Sequence, residues 1–325
     1  MNRRKLALVI VMIFAAGALV SCGRSGKQAG APKAERYRFT VVIYGTAGNP
    51  FWTKVVAGAE ETAKTLGCSV DIQFADNDAV KQNDIIETAI ANKVDGIGVS
   101  LNYDDAYDES VKKAMDAGIP VIAFNIDDSK RAKGNARMAY IGQDMETAGY
   151  IISKRLIKEG KLKKGDFVVC PVEHPDAVYA VQRYAGSKRA FDEAGIRSEE
   201  LNTGALSLEV TLNKLTQYLL GHKNTNAILA MGGMPMEVAP QASKDAGLNI
   251  PIAGFDLTRQ IAKNIAEGKS LASVDQQPFY QGCLTVLQLN YSRKYGLLPC
   301  SVNTGGGIVD KTNVARVMDL ADSVR

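Results

Sequence analysis

The sequence predicts an α/β fold made of two doubly wound parallel sheets. Short apolar, β-branched runs recur along the chain, and each is followed by a segment with helical periodicity. This alternation is typical of parallel strands covered by helices on both faces. It occurs in two successive series, and 325 residues are enough for two domains. We therefore expect two α/β lobes.

The remaining chain is organised around the first strand, loop and helix. Residues 39–44 form an apolar run that is typical of a strand buried on both faces. The next loop leads into a helix for which Asn49 suits the N-cap and Gly67 the C-terminal stop. Phe51 and Trp52 then lie at the helix start. This place is the carboxyl end of a strand, where open α/β sheets bind ligands.

The other elements follow in the same alternation. Further strands are expected at 69–74, 96–101, 120–125, 138–142, 166–171, 227–231, 251–256 and 271–275. Further helices are expected at 79–92, 103–117, 145–159, 176–194, 208–220, 235–246, 258–267 and 281–295. Residues 196–203 favour neither state. A short strand and an amphipathic segment complete the chain.

The N-terminal residues predict export and lipid attachment. A basic segment precedes the apolar stretch 6–20, which is short for a membrane span and fits a secretory signal peptide. Its end, LVSC, resembles a bacterial lipobox, which implies cleavage after Ser21 and lipid on Cys22. Residues 1–21 are then the signal peptide and residues 22–36 a flexible lipidated tether. A plain secreted protein and a short anchor helix are the alternatives.

Composition and motifs exclude several function classes. The formal net charge is +4, and the signal segment contributes three of those positive charges, so nothing suggests nucleic-acid binding. The sequence contains no P-loop, GxGxxG, HExxH or GxSxG motif, so neither a cofactor nor an enzymatic activity is expected. The run 76–78, Asp-Asn-Asp, lacks the spacing and glycine of a calcium loop, which favours a solvated turn and no metal site.

Four cysteines remain besides Cys22, and none has metal-binding spacing. Cys68 and Cys170 end or follow apolar runs and are expected in the core. Because export permits disulfides, a bridge between Cys283 and Cys300 stays open.

Several motifs occur in the order found in the periplasmic sugar-binding proteins of ABC transporters, in the ribose and galactose group. They are NPFW, IPVIAFN, YIGQDMETAG, HPDA, IAGFD and SVDQQPFYQG. The resemblance covers the mature chain and implies the fold of a type I periplasmic binding protein, with lobes joined by hinge crossovers. The N-terminal lobe would comprise residues 37–141 and 277–303, and the C-terminal lobe residues 142–276 and 304–325.

The same resemblance implies a function. An extracytoplasmic, lipid-anchored monomer would capture a monosaccharide between its lobes and deliver it to the permease of an ABC transporter. The resemblance implies nine ligand contacts, eight at positions that match the family's motifs and Arg183 as the nearest candidate for the family's arginine: Asn49, Phe51, Trp52, Asn125, His174, Asp176, Arg183, Asp256 and Gln276. Aromatic rings suit the apolar faces of a sugar, and carboxylate, amide and guanidinium groups suit its hydroxyls.

Most of these residues also have a structural alternative. The aromatic residues could pack in the core, Asn125 could form a turn, and Asp256 could cap a helix. His174 and Asp176 could form an exposed turn and N-cap, and Arg183 could be a solvated surface charge. The sequence leaves these alternatives open.

Two departures from the family pattern leave the identity of the sugar open. Arg183 does not fall at the family's spacing after HPDA. AMGGMP, residues 230–235, replaces a segment in which the family supplies an asparagine. We therefore expect one polar contact to be missing there, with room for a less polar or bulkier part of the ligand.

Other function classes have weaker support. A receptor for a sugar-derived signal or a nucleoside-like ribose derivative is the main alternative. A sugar-responsive repressor needs an N-terminal helix-turn-helix, and the signal segment stands in that place. An enzyme built on these lobes would need a catalytic constellation, which the sequence does not contain in recognisable form.

Overall fold

The computed structural model describes residues 37–130, 133–204 and 207–324. The signal segment, Cys22 and the tether lie outside the described residues. The described ranges contain twelve strands and nine α-helices. Among these helices, none is both long enough and apolar enough to cross a membrane.

The strands and helices alternate along most of the chain. The strands are β1 (Arg38–Ile43), β2 (Ser69–Phe74), β3 (Gly96–Val99), β4 (Val121–Asn125), β5 (Ala139–Gly142), β6 (Phe167–Val172), β7 (Arg197–Asn202), β8 (Ala227–Ala230), β9 (Ile252–Phe255), β10 (Ala272–Asp275), β11 (Val302–Asn303) and β12 (Gly307–Asp310). The helices are α1 (Pro50–Leu66), α2 (Ala79–Ala91), α3 (Asp108–Asp116), α4 (Met145–Glu159), α5 (Val178–Ala194), α6 (Leu208–Gly221), α7 (Gly233–Asp245), α8 (Arg259–Ala266) and α9 (Pro278–Tyr295).

The strands form two six-stranded sheets with equivalent strand orders. Their orders are β11-β5-β4-β3-β1-β2 and β12-β10-β9-β8-β6-β7. All pairings in the first sheet are parallel, and in the second only β12 runs antiparallel, beside β10. Each sheet reverses its strand order beside its first strand, which is where doubly wound sheets bind ligands. The predicted fold class is confirmed.

Each sheet separates two apolar layers. In the first sheet, Val41 and Phe124 pack on one face while their neighbours Val42 and Ala123 pack on the other. Successive residues of a strand point to opposite faces, so both faces are buried. This double burial explains why the strands are continuous apolar runs rather than alternating ones.

The ambiguous stretch 196–203 contains the edge strand β7. Its sequence is RSEELN, and its side chains are half-buried or exposed rather than alternately buried. Pairing with β6 holds it in the sheet, so the tertiary contact decides its structure. Helix α5 begins at Val178, two residues later than expected, because Ala177 adopts the extended N-cap conformation.

The remaining local expectations have clear outcomes. Cys68 and Cys170 are buried, and burial raises the pKa of Cys170 well above its ordinary value. Cys283 and Cys300 are free thiols, so the disulfide left open by the sequence is not formed. In the run 76–78, Asp78 caps α2 and Asp76 forms an ion pair with a lysine.

In each lobe two long helices cross at a pair of glycines. In the first lobe, α1 and α9 meet at Gly58 and Gly282. A Cβ at Gly58 would lie 2.0 Å from the carbonyl oxygen of Phe279, and one at Gly282 would lie 2.0 Å from a carbonyl oxygen of α1. In the second lobe, α4 and α5 approach in the same way at Gly149 and Gly186. Backbone contact at these crossings therefore requires glycine.

The first prediction concerns this crossing. Gly282→Ala should lower the free energy of unfolding by about 1–3 kcal/mol, because the added methyl group forces the helices apart. Urea unfolding followed by circular dichroism measures the change. Gly221→Ala is the matched control, since a Cβ at Gly221 in α6 would meet nothing within 4 Å. Equal effects of the two substitutions would contradict the close-crossing constraint.

Candidate ligand-binding site

A cavity of about 770 Å³ lies between the two sheets and is lined by residues that follow strands of both. This volume is within the range of small-molecule sites. Eight of the nine residues predicted from the sequence line it: Asn49, Phe51, Trp52, Asn125, His174, Arg183, Asp256 and Gln276. Asp176 is exposed and is not among the described lining residues, nor is it the N-cap of α5.

The aromatic wall of the cavity comes from the start of α1. Asn49 caps this helix by accepting a hydrogen bond from the Phe51 amide at 2.9 Å. Trp52 is only 3% exposed and packs edge-on against Tyr44 and Phe51, with ring centroids 5.1 and 5.0 Å away. A Cβ at Gly45 would lie 2.0 Å from the indole nitrogen of Trp52, so the loop passes directly against the ring. Core packing holds this wall in place.

Two residues at strand ends face the cavity with the same unusual backbone. Asn125 ends β4 and Asp256 follows β9, the strand in the equivalent position of the other sheet. Their φ angles are 64° and 70°. Asn and Asp tolerate this left-handed conformation better than other side chains, and it is enriched at functional sites. The two strands thus present an amide and a carboxylate to the cavity.

Arg183 is held rigidly in the wall of the second lobe. Its side chain is 2% exposed, so the alternative of a solvated surface charge is wrong. Nε donates to Oε1 of Gln143 at 3.0 Å, and Nη1 donates to the carbonyl of Met231 at 2.7 Å. The guanidinium lies 4.2 Å from the ring centroid of Phe255. Nη2 is 3.7 Å from Oδ1 of Asp256, which is beyond hydrogen-bond distance and leaves Nη2 available to a ligand.

Gln276 connects the strand ends of both lobes at a crossover. Its Nε2 donates to Oδ1 of Asp256 at 2.6 Å, and its Oε1 accepts from Nδ2 of Asn125 at 3.3 Å. The chain crosses between the sheets after β5, after β10 and between β11 and β12. Thr304 joins the three crossovers, because its amide donates to Gly142 at 2.9 Å and its hydroxyl to the Gln276 carbonyl at 2.9 Å.

Glu173 lines the cavity, although it was not among the residues predicted from the sequence. It directly follows β6, and its carboxylate accepts from the Met234 amide at 3.0 Å and from the Tyr179 hydroxyl at 3.3 Å. Burial raises the pKa of Glu173 above its ordinary value, and the charge of Asp256 adds to the rise. Its position directly after a predicted strand could have indicated this role. The prediction instead used the adjacent HPDA motif.

The space beside Gly232, the first glycine of AMGGMP, is occupied. A Cβ at Gly232 would lie 2.0 Å from Oε2 of Glu173, so the carboxylate fills the position of a side chain. The backbone of Gly232 is extended, with φ −153°, and any residue adopts that conformation. The contact with Glu173 therefore requires the glycine. A carboxylate therefore lies beside Gly232, where the sequence left room for a less polar part of the ligand.

Lys54 is a second lining residue that the sequence analysis missed. It projects from α1 of the first lobe, and its Nζ donates to the carbonyl of Leu257 in the second at 3.1 Å. Burial lowers the pKa of Lys54, against the opposing influence of Asp256 and Asp275. In the sequence, Lys54 is only part of a segment with helical periodicity. That pattern does not distinguish a buried lysine from a surface one.

Among the described residues, one acidic cluster lies outside the cavity. Carboxylate oxygens of Asp105, Asp108 and Asp128 lie within 4.8 Å of one another in the first lobe. Each has another partner: Asp105 binds the Lys130 ammonium, Asp108 binds Asn135, and Asp128 accepts from the Lys130 amide. Each carboxylate of the cluster therefore has a partner within the protein.

Comparison with known proteins identifies the family. The model of the periplasmic binding protein domain matches residues 40–291. The xylose/arabinose-binding protein XylF of Sulfolobus acidocaldarius is 23% identical, over 84% of this chain and 71% of that protein.

Two solved structures are similar over most of their length. A carbohydrate transporter from Acidothermus cellulolyticus, in complex with myo-inositol, is 28% identical with a TM-score of 0.79, over 88% of this chain and 98% of that one. A periplasmic solute binding protein of an ABC transporter from Actinobacillus succinogenes, with bound D-allose, is 26% identical with a TM-score of 0.76, over 86% and 100%.

These relatives are binding and transport proteins rather than enzymes, which agrees with the expectation from the sequence. The matched region covers about three quarters of the chain. The protein therefore belongs to the periplasmic binding protein domain family.

Proposed function

We propose that this protein binds a monosaccharide or cyclic polyol between its lobes and delivers it to the permease of an ABC transporter. The observation that carries the proposal is the juxtaposition, in one cavity, of Asp256 and Arg183 from one lobe with Phe51 and Asn125 from the other. The ligands of the similar structures, myo-inositol and D-allose, support this ligand class. The lobes we propose are residues 37–141 with 277–303 and residues 142–276 with 304–325.

The chemistry of the cavity suits a neutral polyhydroxylated ring. Asp256 supplies acceptors and Arg183 supplies donors, and each hydrogen bond to such a charged group contributes about 1.5–3 kcal/mol. Phe51 covers an apolar face of the ring. The charged lining side chains are two cations and four acids: Lys54, Arg183, Glu173, Glu237, Asp256 and Asp275. This excess of acids disfavours sugar phosphates and sugar acids.

Binding is coupled to closure of the lobes in this proposal. A ligand that contacts both lobes stabilises the closed arrangement, and hinges at the ends of secondary-structure elements accommodate the rotation. The three crossovers are these hinges, and Lys54 bonds across the mouth when the lobes are together. The permease would recognise the closed form, while ATP is used by other subunits. No bond of the sugar is broken.

The proposal includes a lipid anchor and a monomeric state outside the cytoplasm. LVSC supports attachment of lipid to Cys22. A tether of about a dozen residues has a root-mean-square reach of roughly 20 Å, which keeps the folded body near the membrane while it turns.

A nucleoside-like ribose derivative is the second candidate ligand. The cavity volume of about 770 Å³ lies in the upper part of the range for small-molecule sites, so it has room for a base beside the sugar. Titration with adenosine beside free D-ribose separates the two candidates, because a nucleoside receptor binds adenosine more tightly.

The second prediction tests the polar wall. Asp256→Asn should weaken binding at least about tenfold, because neutral hydrogen bonds contribute about 0.5–1.5 kcal/mol each. Asparagine also tolerates the left-handed backbone at this position. Calorimetric titration uses the tightest binder among myo-inositol, D-allose, D-ribose, D-xylose and D-galactose. The control is Asp192→Asn, at an exposed aspartate paired with Lys188 on α5. Equal affinities in both variants would exclude Asp256 as a ligand contact.

The third prediction tests closure. A saturating sugar should reduce the radius of gyration of the wild-type protein measured by small-angle X-ray scattering. Lys54→Met should need more sugar for the same contraction, because the bond to Leu257 that favours the closed form is lost. Lys64→Met, an exposed site on the same helix, is the control. Identical wild-type dimensions with and without sugar would contradict closure.

The fourth prediction tests the anchor. Cys22→Ala should move the protein from the membrane fraction to the soluble extracytoplasmic fraction, because the acylated sulfur is gone. Mass spectrometry of the wild-type N-terminal peptide should show acyl chains on Cys22. A wild-type peptide without acyl mass would refute lipidation.

A further inference from the structure

The carboxylate of Glu173 lines the cavity and has no role in the ligand contacts proposed for Asp256, Arg183, Phe51 and Asn125. It lies at the end of β6, next to the first turn of α7, and lines the same cavity as Asp256. The glycine at 232 leaves its space, since a Cβ there would lie 2.0 Å from Oε2 and 2.7 Å from the carboxylate carbon. The Glu173 carboxylate therefore occupies the space that a side chain at position 232 would fill.

The carboxylate is fixed but not saturated. Protein donors to it are the Met234 amide, the Tyr179 hydroxyl and the amide of Glu173 itself. A carboxylate has about four acceptor positions, so about one remains for a group in the cavity. A fixed acceptor of this kind costs a ligand little ordering when it donates a hydrogen bond.

The surroundings favour a donor as the group that meets this position. Arg183 is already held by Gln143 and the Met231 carbonyl, and Lys54 is held by the Leu257 carbonyl. Neither cation forms an ion pair with Glu173 among the described contacts within 4.0 Å. Burial and the charge of Asp256 raise the pKa of Glu173, so the ionised carboxylate gains from a new donor.

We propose that Glu173 contacts the ligand and determines specificity, by accepting a hydrogen bond from a ligand hydroxyl beside Gly232. This assignment rests on the proposed function and deepens it. It selects ligands that present a hydroxyl at this point, in addition to the hydroxyls held by Asp256. An analogue that lacks this hydroxyl leaves a half-buried acceptor without that hydrogen bond, and such mismatches discriminate between ligands.

The test compares dissociation constants of wild type and Glu173→Gln by calorimetry. The probes are myo-inositol, D-allose, D-ribose, D-xylose and D-galactose. The variant should bind the tightest wild-type probe at least about fivefold more weakly, because an amide replaces the charged acceptor. Its ligand-free melting temperature is measured beside the affinity, because an amide has one acceptor oxygen where the carboxylate accepts from Met234 and Tyr179 with two.

Two further variants separate ligand contact from a structural role. Gly232→Ala keeps the charge of Glu173 but displaces its carboxylate, and it should weaken the same probe by a similar factor. If Glu173→Gln does not fold, Gly232→Ala alone tests whether Glu173 contacts the ligand. Glu200→Gln on β7 is the matched control, because Glu200 is also a carboxylate whose pKa burial raises, and it is not among the described lining residues. The control should bind like wild type.

The outcomes are distinguishable from failure of the proposed function. If wild type binds a probe and both Glu173→Gln and Gly232→Ala stay within about twofold of it, the Glu173 assignment is overturned and the proposed function stands. If wild type binds none of the probes, both are overturned. Weakening in both variants, with the control unchanged, supports the assignment.

Discussion

The site depends on one buried cation, the guanidinium of Arg183. An unpartnered charge at this depth costs several kcal/mol, so the fold has to satisfy it. Its partners come from separate parts of the chain: Gln143 from the first crossover, Met231 from the end of β8, and Phe255 from the end of β9. One side chain therefore fixes the first crossover relative to two strand ends. The close glycine crossing of α4 and α5 brings Arg183 to this position.

The two lobes have equivalent strand orders but differ in chemistry. The strand ends PVIAFN and PIAGFD are similar in sequence, and both place a left-handed residue at the cavity, Asn125 in one lobe and Asp256 in the other. The first lobe adds an aromatic cluster around Trp52, and the second adds Arg183 and Glu173. A ring with hydroxyls on its rim and apolar faces matches such a divided cavity. Burial raises the pKa of Glu173 and lowers that of Lys54, so it disfavours the charged form of each.

Much of this arrangement could be predicted from the sequence, for physical reasons. Strands buried on both faces appear in the sequence as continuous apolar runs. The residues that follow such runs meet at one edge of a sheet, so the positions of Asn125 and Asp256 at the site could be predicted. Glu173 obeys the same rule, yet its role depends on a glycine 59 positions away in sequence, Gly232, which no local pattern indicates. The burial of Arg183 and Lys54 depends on partners in other elements. β7 could not be predicted because the sequence of this edge strand, RSEELN, does not alternate between apolar and polar residues.

The central claim is that one ligand touches both lobes in the cavity between the sheets. The most direct measurement is a crystal structure of the protein with the tightest-binding sugar of the panel. The account predicts a ring that packs against Phe51 of the first lobe while its hydroxyls bond to Asp256 and Arg183 of the second. A sugar bound outside this cavity, or one that contacts a single lobe of a closed molecule, would contradict the account.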